Sequence, residues 1–263
     1  MKEIIQNGRV LNCVPSQKTE VDWSISDELD EALLAEPRRY PDAIDLRCGW
    51  WKVGDQGSTG SCVGWATADA VMRWHLVKKK LLKTNMKLSV RFVWMAAKET
   101  DEYYSRPTSF IEVSGTSLKA ALDIVCKYGV VTNKILPFTG GTLYPGRPQE
   151  FYTIAAGMRA ASYRNLGRNL SEWRYWLSEE GPILTRLSVD DTWWRVGSDG
   201  KLDVYQSDTQ SGGHAIALVG YTKDHFIVRN SWGNKWADNG FAYASNAYAK
   251  EAFTEAYGLK MGS

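Results

Sequence analysis

Residues 57–74 read GSTGSCVGWATADAVMRW, a glycine-rich turn followed by a segment with helical periodicity. From Val63 to Leu81 apolar residues recur at steps of three or four, which predicts a helix with one buried face. Ser61 is a good N-cap, so Cys62 falls in the first helical turn, where unpaired N–H groups favour an anion. Two interpretations stay open at this point. Cys62 is either a buried packing residue or a thiolate favoured by its position.

The composition is that of an ordinary globular protein. The chain has 263 residues, of which 44% are hydrophobic, enough for a sizeable core. The formal net charge of +2 argues against nucleic acid or an anionic membrane as a partner. No apolar run is long enough to span a membrane, and residues 1–17 lack the apolar core of a signal peptide. We therefore expect a cytoplasmic protein.

The cysteines and histidines do not form a recognisable metal or disulfide pattern. No CxxC pair is present, and no group has the spacing of zinc ligands. We therefore expect no disulfide framework, no bound metal and no cofactor. His75 and His225 are predicted to face solvent, and Cys13, Cys48 and Cys126 to be packing residues.

The predicted secondary structure changes from helix to strand near the middle of the sequence. Residues 61–135 read mainly as helix, and the third helical pattern stops at Gly129. Residues 136–150 are rich in Gly and Pro, as a crossing between lobes would be. Four short β-like runs follow between residues 181 and 245. The order predicts an α+β fold with two lobes and a site in the cleft between them.

The segment GGHAIALVGYTKDHFIVRNSWG, residues 212–233, reads as two strands joined by a turn near Lys223 and Asp224. This hairpin places Asn230 about two residues from the position opposite His214, within reach of long side chains. An amide oxygen at Asn230 would then fix the tautomer of the imidazole and leave its other nitrogen aimed at a thiol.

Three blocks resemble those of the papain-like cysteine peptidases, in the same order and with similar separations. They are DQGSTGSCVGWA at 55–66, GGHAIALVGY at 212–221 and VRNSWGNKWADNGF at 228–241. The resemblance extends from residue 43 to residue 245. It implies a papain-like fold with a helical left lobe and an antiparallel, β-barrel-like right lobe.

The same resemblance implies a division of the chain. Residues 43–145 would form the helical lobe that carries the nucleophile, and residues 146–263 the β lobe that carries His and Asn. Residues 1–42, with a short helix predicted after Ser26, would be an N-terminal extension that can cover the cleft.

By position, the resemblance assigns Cys62 as nucleophile, His214 as general base and then acid, and Asn230 as the residue that orients His214. Gln56 would lend its side-chain amide to the oxyanion hole beside the backbone N–H of Cys62.

Four further residues receive supporting or substrate-binding roles from the resemblance. Trp232 would shield the Asn–His hydrogen bond from water, and Trp236 would line the leaving-group side of the cleft. The backbone of Gly115 would pair with an extended substrate. Ala215 would form the floor of the main side-chain pocket.

Two positions depart from the family pattern. Thr59 stands where secreted members carry a disulfide-bonded cysteine, and Val63 stands where an aromatic residue follows the nucleophile. Neither change removes a catalytic atom. The first agrees with a reducing compartment and implies that packing alone holds this wall of the cleft.

The sequence therefore predicts a cysteine endopeptidase that forms an acyl-enzyme on a peptide or protein substrate. We expect a monomer without nucleic-acid or membrane partners. Two alternatives stay open: a self-blocked peptide-binding module on the same scaffold, and an acyltransferase that passes the acyl group to an amine.

Overall fold

The computed structural model describes residues 5–24, 39–100, 115–139 and 144–262. The helix predicted after Ser26 lies outside these residues. The longest helix, α1, has three parts: Cys62–Gly64 is α-helical, Trp65–Met72 is π-helical and Arg73–Lys78 is α-helical. The prediction of a helix starting at Cys62 is confirmed, but the pattern gave no sign of the π-helical middle.

The other helices are short. They are α2 (Val90–Thr100), α3 (Leu118–Lys127), α4 (Pro148–Ala156), α5 (Leu170–Glu179), α6 (Asp191–Arg195) and α7 (Asn246–Ala252). The hydroxyl of Ser117 caps α3 by accepting from Ala120 N at 3.3 Å. Gly129 follows α3 with a φ of +86°, which only glycine adopts readily, so the predicted end of this helix is confirmed.

In the described residues, ten strands form two sheets. Their bounds are β1 (Ile5–Gln6), β2 (Arg9–Val10), β3 (Ile44–Asp45), β4 (Ala160–Asn165), β5 (Ile183–Val189), β6 (Lys201–Leu202), β7 (Gly212–Tyr221), β8 (His225–Arg229), β9 (Phe241–Ser245) and β10 (Phe253–Met261), for the described residues. The strands β1 and β2 form a hairpin. The main sheet has the order β4-β10-β5-β7-β8-β9-β6, and β3 pairs with β7. Within the described residues, β4 and β6 are the two edge strands of this sheet and do not pair with each other. The lobe that was predicted to be β-barrel-like is therefore an open sheet rather than a closed barrel.

Strand β7 is buried on both faces. Ala215, Ala217 and Val219 pack with the residues of α1 and α3 on one side. Ile216 and Leu218 pack with those of α5 and α7 on the other. A strand covered on both faces reads as a continuous apolar run, which explains the sequence HAIALVGY.

The predicted hairpin of β7 and β8 is confirmed. Ala217 lies opposite Arg229, so the register puts Asn230 opposite Ile216, two residues from His214. His75, in contrast, is only 6% exposed, and the prediction that it faces solvent is wrong because its face of α1 is covered. In the described residues no helix has the length and apolarity needed to cross a membrane.

Candidate active site

Cys62 begins α1 and is fully buried, with its thiol close to the backbone of Ala215. Burial raises the pKa of the thiol to about 11, although nearby backbone groups and the positive charge of Arg186 act in the opposite direction. Ser61 occupies the N-cap position, but its side chain does not cap the helix. In this state Cys62 is a neutral thiol, so the expected effect of the helix start is outweighed by desolvation.

His214 and Asn230 form the predicted pair. His214 Nε2 lies 2.8 Å from Asn230 Oδ1, and the same oxygen accepts from the backbone N–H of Ser231 at 2.7 Å. Burial lowers the pKa of His214 to about 4 and the charge of Arg9 lowers it further, whereas the hydrogen bond that His214 donates to Asn230 acts to raise it. His214 Nδ1 is buried and has no hydrogen-bond partner among the residues that the structure describes. The expected thiol–imidazole hydrogen bond is therefore not formed in this state.

Gln56 is fully buried directly before the turn that leads to Cys62. Its Oε1 accepts from Ser231 Oγ at 2.7 Å and its Nε2 donates to Thr59 O at 2.9 Å. The side-chain amide is thus fixed from both ends, and Nε2 retains a second N–H for another acceptor.

Hydrogen bonds as well as packing hold the wall of the cleft at Thr59. Its hydroxyl donates to Gln56 O at 2.7 Å and lies 2.6 Å from Ser61 Oγ. The expectation that packing alone holds this wall is wrong, since the threonine that stands in place of the cysteine ties the turn together by its side chain.

Four tryptophans form a cluster beside the imidazole, and two of them, Trp193 and Trp232, contact it. The ring of Trp232 lies 5.0 Å from that of His214 and stacks on Trp194 at 4.8 Å. Trp193 contacts His214 edge-on at 5.9 Å. Trp236 packs on Trp193 at 4.8 Å and donates from Nε1 to the carbonyl of Trp193 at 3.3 Å. His214 and Asn230 are themselves buried, and the predicted shielding of their hydrogen bond by Trp232 stays a prediction.

The N-terminal residues approach this site through a hairpin. Asn7 and Gly8 both have positive φ values, 50° and 71°, as a two-residue Asn-Gly turn requires. The turn delivers Arg9, which pairs with the carboxylate of Asp55 and also donates to Gly57 O at 3.0 Å and Trp232 O at 3.2 Å.

Residues 9–16, here named the cleft segment, then run between the helices and the sheet. Cys13 N donates to Gly213 O at 3.0 Å on the sheet side, and Val14 N donates to Thr116 O at 3.2 Å on the helix side. A Cβ on Gly115 would lie 1.8 Å from Asn12 O, so this glycine permits the close approach.

Of the predicted substrate-binding residues, Gly115 contacts the cleft segment and Ala215 contacts the thiol of Cys62. Trp236 lies among the tryptophans beside His214, and its place on the leaving-group side of the cleft stays a prediction. Sequence reasoning missed Arg9 and Arg186 as neighbours of the site. Both are isolated basic residues with no local motif, so no pattern could have singled them out. Within the described part of the chain, no group of His, Cys, Asp or Glu could hold a metal ion.

A cysteine at the start of a helix and a His–Asn pair on two adjacent strands define the papain-like class of fold and site. A family model described as "Papain family cysteine protease" matches residues 40–258. The chain therefore belongs to the papain family of cysteine proteases, and the predicted family and fold class are confirmed.

Individual relatives are distant in sequence. Cysteine proteinase 1 of Dictyostelium discoideum is 24% identical over 84% of this chain and 65% of its own length. A cathepsin L-like proteinase of Fasciola hepatica is 25% identical over 79% of this chain and 61% of its own length. The chain thus spans less than two-thirds of these relatives.

Solved structures share the fold. Xylellain, a cysteine protease from Xylella fastidiosa, superposes with a TM-score of 0.80 at 20% identity, covering 100% of this chain and 99% of its own. A procathepsin B from Trypanosoma congolense superposes with a TM-score of 0.70 at 14% identity, covering 96% of this chain and 87% of its own.

Proposed function

We propose that this chain is a cysteine endopeptidase with Cys62 as the nucleophile. The observation that carries the proposal is the buried hydrogen bond of 2.8 Å between His214 and Asn230. Ala215, the residue that follows His214 on β7, lies next to the thiol of Cys62. That bond fixes the tautomer so that His214 Nδ1 is the nitrogen available to the thiol.

The reaction proceeds through two acyl transfers. His214 takes the proton of Cys62, and the sulfur attacks the scissile carbonyl carbon to give a tetrahedral oxyanion. The backbone N–H of Cys62 and the free N–H of Gln56 Nε2 donate to that oxygen, and one such donor typically stabilises the transition state by about 3–4 kcal/mol.

The intermediate then collapses. The C–N bond breaks as His214 returns its proton to the leaving amine, and a thioester remains on Cys62. His214 next removes a proton from a water molecule, whose oxygen attacks the thioester carbonyl. The C–S bond breaks, the carboxylic acid leaves and the thiol is regenerated.

We further propose that the N-terminal extension, residues 1–42, keeps the enzyme latent. The cleft segment lies where an extended substrate would lie, between Thr116 and Gly213. It also removes water, and desolvation is the largest cause that raises the pKa of Cys62 and lowers that of His214. Release of the segment readmits water, so both groups can then form a thiolate–imidazolium pair.

The partners and location are proposed on the same grounds. A net charge of +2 gives little attraction to nucleic acid, and Thr59 in place of a disulfide cysteine suits a reducing compartment. We propose a cytoplasmic monomer that acts on peptides or proteins.

Alkylation tests the nucleophile. The full chain is treated with iodoacetamide and mapped by mass spectrometry, and turnover of a fluorogenic peptide is followed in the same samples. We expect labelling of Cys62 to abolish turnover, Cys62→Ser to be inactive and folded, and Cys126→Ser, a matched control on α3, to keep activity. Turnover by Cys62→Ser would contradict the assignment.

Charge reversal at Arg9 tests latency. Arg9→Glu replaces an ion pair with repulsion from Asp55, so we expect faster labelling of Cys62 and faster turnover. Lys80→Glu makes the same charge change at an exposed position after α1 and should alter neither rate. Equal rates in all three proteins would contradict latency. Rapid labelling without turnover would favour the peptide-binding module.

A further inference from the structure

The middle of strand β5 carries a charged residue on the face that the cleft segment covers. Arg186 Nε donates to Cys13 O at 2.9 Å, and Arg186 Nη1 donates to Thr254 Oγ1 at 2.8 Å. The guanidinium therefore lies between the sheet and the segment. The partner of Arg186 across the strand pair is Ala215, the residue after His214, which places Arg186 near the catalytic pair.

The sheet leaves space for this side chain. Arg186 lies opposite Ala215 on β7 and opposite Glu255 on β10, and directly opposed residues share one face of a sheet. Gly213, two residues before Ala215, shares that face. A Cβ on Gly213 would lie 2.5 Å from Arg186 Nη2 and 2.2 Å from Cys13 O, so glycine at this position admits both the guanidinium and a peptide.

In the part of the chain that the structure describes, the hydrogen-bond partners of Arg186 are neutral. Among residues 5–24, 39–100, 115–139 and 144–262, no carboxylate forms an ion pair with it. Glu255, across the strand pair, accepts the backbone N–H of Ser16 at 3.0 Å through Oε1, and its Oε2 is buried without a partner. A carboxylate that met Arg186 in bidentate geometry would bind it more strongly than the carbonyl of Cys13 does.

The direction of the cleft segment indicates on which side of the scissile bond Arg186 lies. Arg9 lies beside Trp232, which packs on Trp236, the residue predicted for the leaving-group side, and Cys13 lies four residues further along the segment, beside Gly213. Arg186 is therefore on the acyl side. A substrate residue that comes before the cleaved bond would meet it.

We propose that Arg186 selects a peptide with an aspartate or glutamate side chain on the acyl side of the cleaved bond, between Gly115 and Gly213. This inference rests on the proposed function and names its substrate class. Glu255 weakens this preference, because its carboxylate can compete with that of the substrate for Arg186 once the cleft segment leaves. We therefore expect a preference of about tenfold in kcat/KM for Glu over Gln, at the low end of a charged hydrogen bond.

The test uses the full chain carrying Arg9→Glu, and fluorogenic peptides with Glu, Gln or Lys at each of the three positions before the cleaved bond. We expect one position to prefer Glu, the preference to vanish in Arg186→Gln and to turn towards Lys in Arg186→Glu. Arg195→Gln, which removes an exposed arginine from α6, should keep the preference. Added salt should reduce it.

Two outcomes would overturn the inference. In one, no position prefers Glu over Gln. In the other, Arg186→Gln slows all peptides by the same factor, which would mean that Arg186 binds only a backbone carbonyl, as it does at Cys13.

A binding measurement separates this inference from the proposed function. The inactive Cys62→Ser, Arg9→Glu protein is titrated with labelled Glu and Gln peptides, and fluorescence anisotropy gives their Kd values. Tighter binding of the Glu peptide that requires Arg186 supports the inference even if no variant cleaves peptides. Equal binding of the two peptides contradicts it, and so does the absence of binding to either.

Discussion

Asp69 links the helix that carries Cys62 to the strand that leads to Asn230. Its Oδ2 accepts from Arg229 at 2.7 Å and its Oδ1 from Arg73 at 3.3 Å. The three side chains are buried, at 4% exposure or less. Asp69 and Arg73 are four residues apart on α1, and Arg229 meets the same carboxylate from the sheet.

Replacing Asp69 should therefore destabilise the fold strongly. Asp69→Asn keeps the shape of the side chain but leaves two buried arginines beside each other without a counter-charge, a change that typically costs about 3–5 kcal/mol. Urea unfolding measures the loss. Asp191→Asn is the matched control, since Asp191 and Arg195 are also four residues apart but Arg195 is 73% exposed. It should cost at most about 1 kcal/mol, and equal losses would contradict the argument.

His75 should make stability depend on pH. Burial lowers the pKa of His75 from 6.5 to about 4, and the charge of Lys79 contributes. Between these values the unfolded chain binds a proton that the folded chain does not, so stability falls as the pH drops from 6.5 towards 4. Between pH 7 and pH 4.5 the free energy of unfolding of His75→Leu should fall by about 2 kcal/mol less than that of the wild type. Urea unfolding at each pH measures this difference. Parallel pH profiles would contradict this.

The sequence was informative where the signal is local. Cys62, His214 and Asn230 each lie in a short motif, and the turn at Lys223 fixes the hairpin register that joins the last two. Arg9 meets Asp55 across 46 residues of sequence and Trp232 across 223. No local pattern encodes such contacts, so the path of the cleft segment could only be proposed from the resemblance.

At the level of elements, α1 and α2 approach each other at a glycine. A Cβ on Gly64 would lie 2.8 Å from both Trp94 Cβ and Val90 O. Neither neighbour is the flexible end of a side chain, so the helices would have to move apart. The close approach of α2 therefore depends on the glycine two residues after Cys62.

Gly64→Ala should destabilise the protein despite the higher helix propensity of alanine. The propensity gain is about 1 kcal/mol, whereas overpacking typically costs about 1–3 kcal/mol. At Gly157, after α4, the φ of −68° suits alanine and a Cβ would lie 3.4 Å from Ile154 O. Gly157→Ala should therefore stabilise by about 0.4–1 kcal/mol. Thermal unfolding compares the two, and a gain at Gly64 would contradict the packing argument.

At the level of the whole molecule, the latent state depends on contacts that favour docking of the cleft segment and on others that oppose it. The ion pair of Arg9 with Asp55 and the backbone bonds at Cys13 and Val14 favour docking. Asn12 opposes it, since its side-chain Oδ1 and Nδ2 are both buried and find no hydrogen-bond partner within the described part of the chain. A buried polar group left without a partner typically costs about 1–3 kcal/mol. The docked state is therefore less stable than it would be if the side chain of Asn12 had hydrogen-bond partners. A weakly docked segment can be released more easily.

Removing this opposition should strengthen latency. Asn12→Leu keeps the size of the side chain, removes its unpaired polar atoms and adds apolar surface that docking buries. We expect labelling of Cys62 by iodoacetamide and peptide turnover in the full chain to slow by about tenfold, the equivalent of 1.4 kcal/mol. Gln17→Leu, the same kind of change at an exposed position just beyond the cleft segment, should leave both rates unaltered. Faster labelling in Asn12→Leu would mean that Asn12 holds the segment in place rather than weakening it.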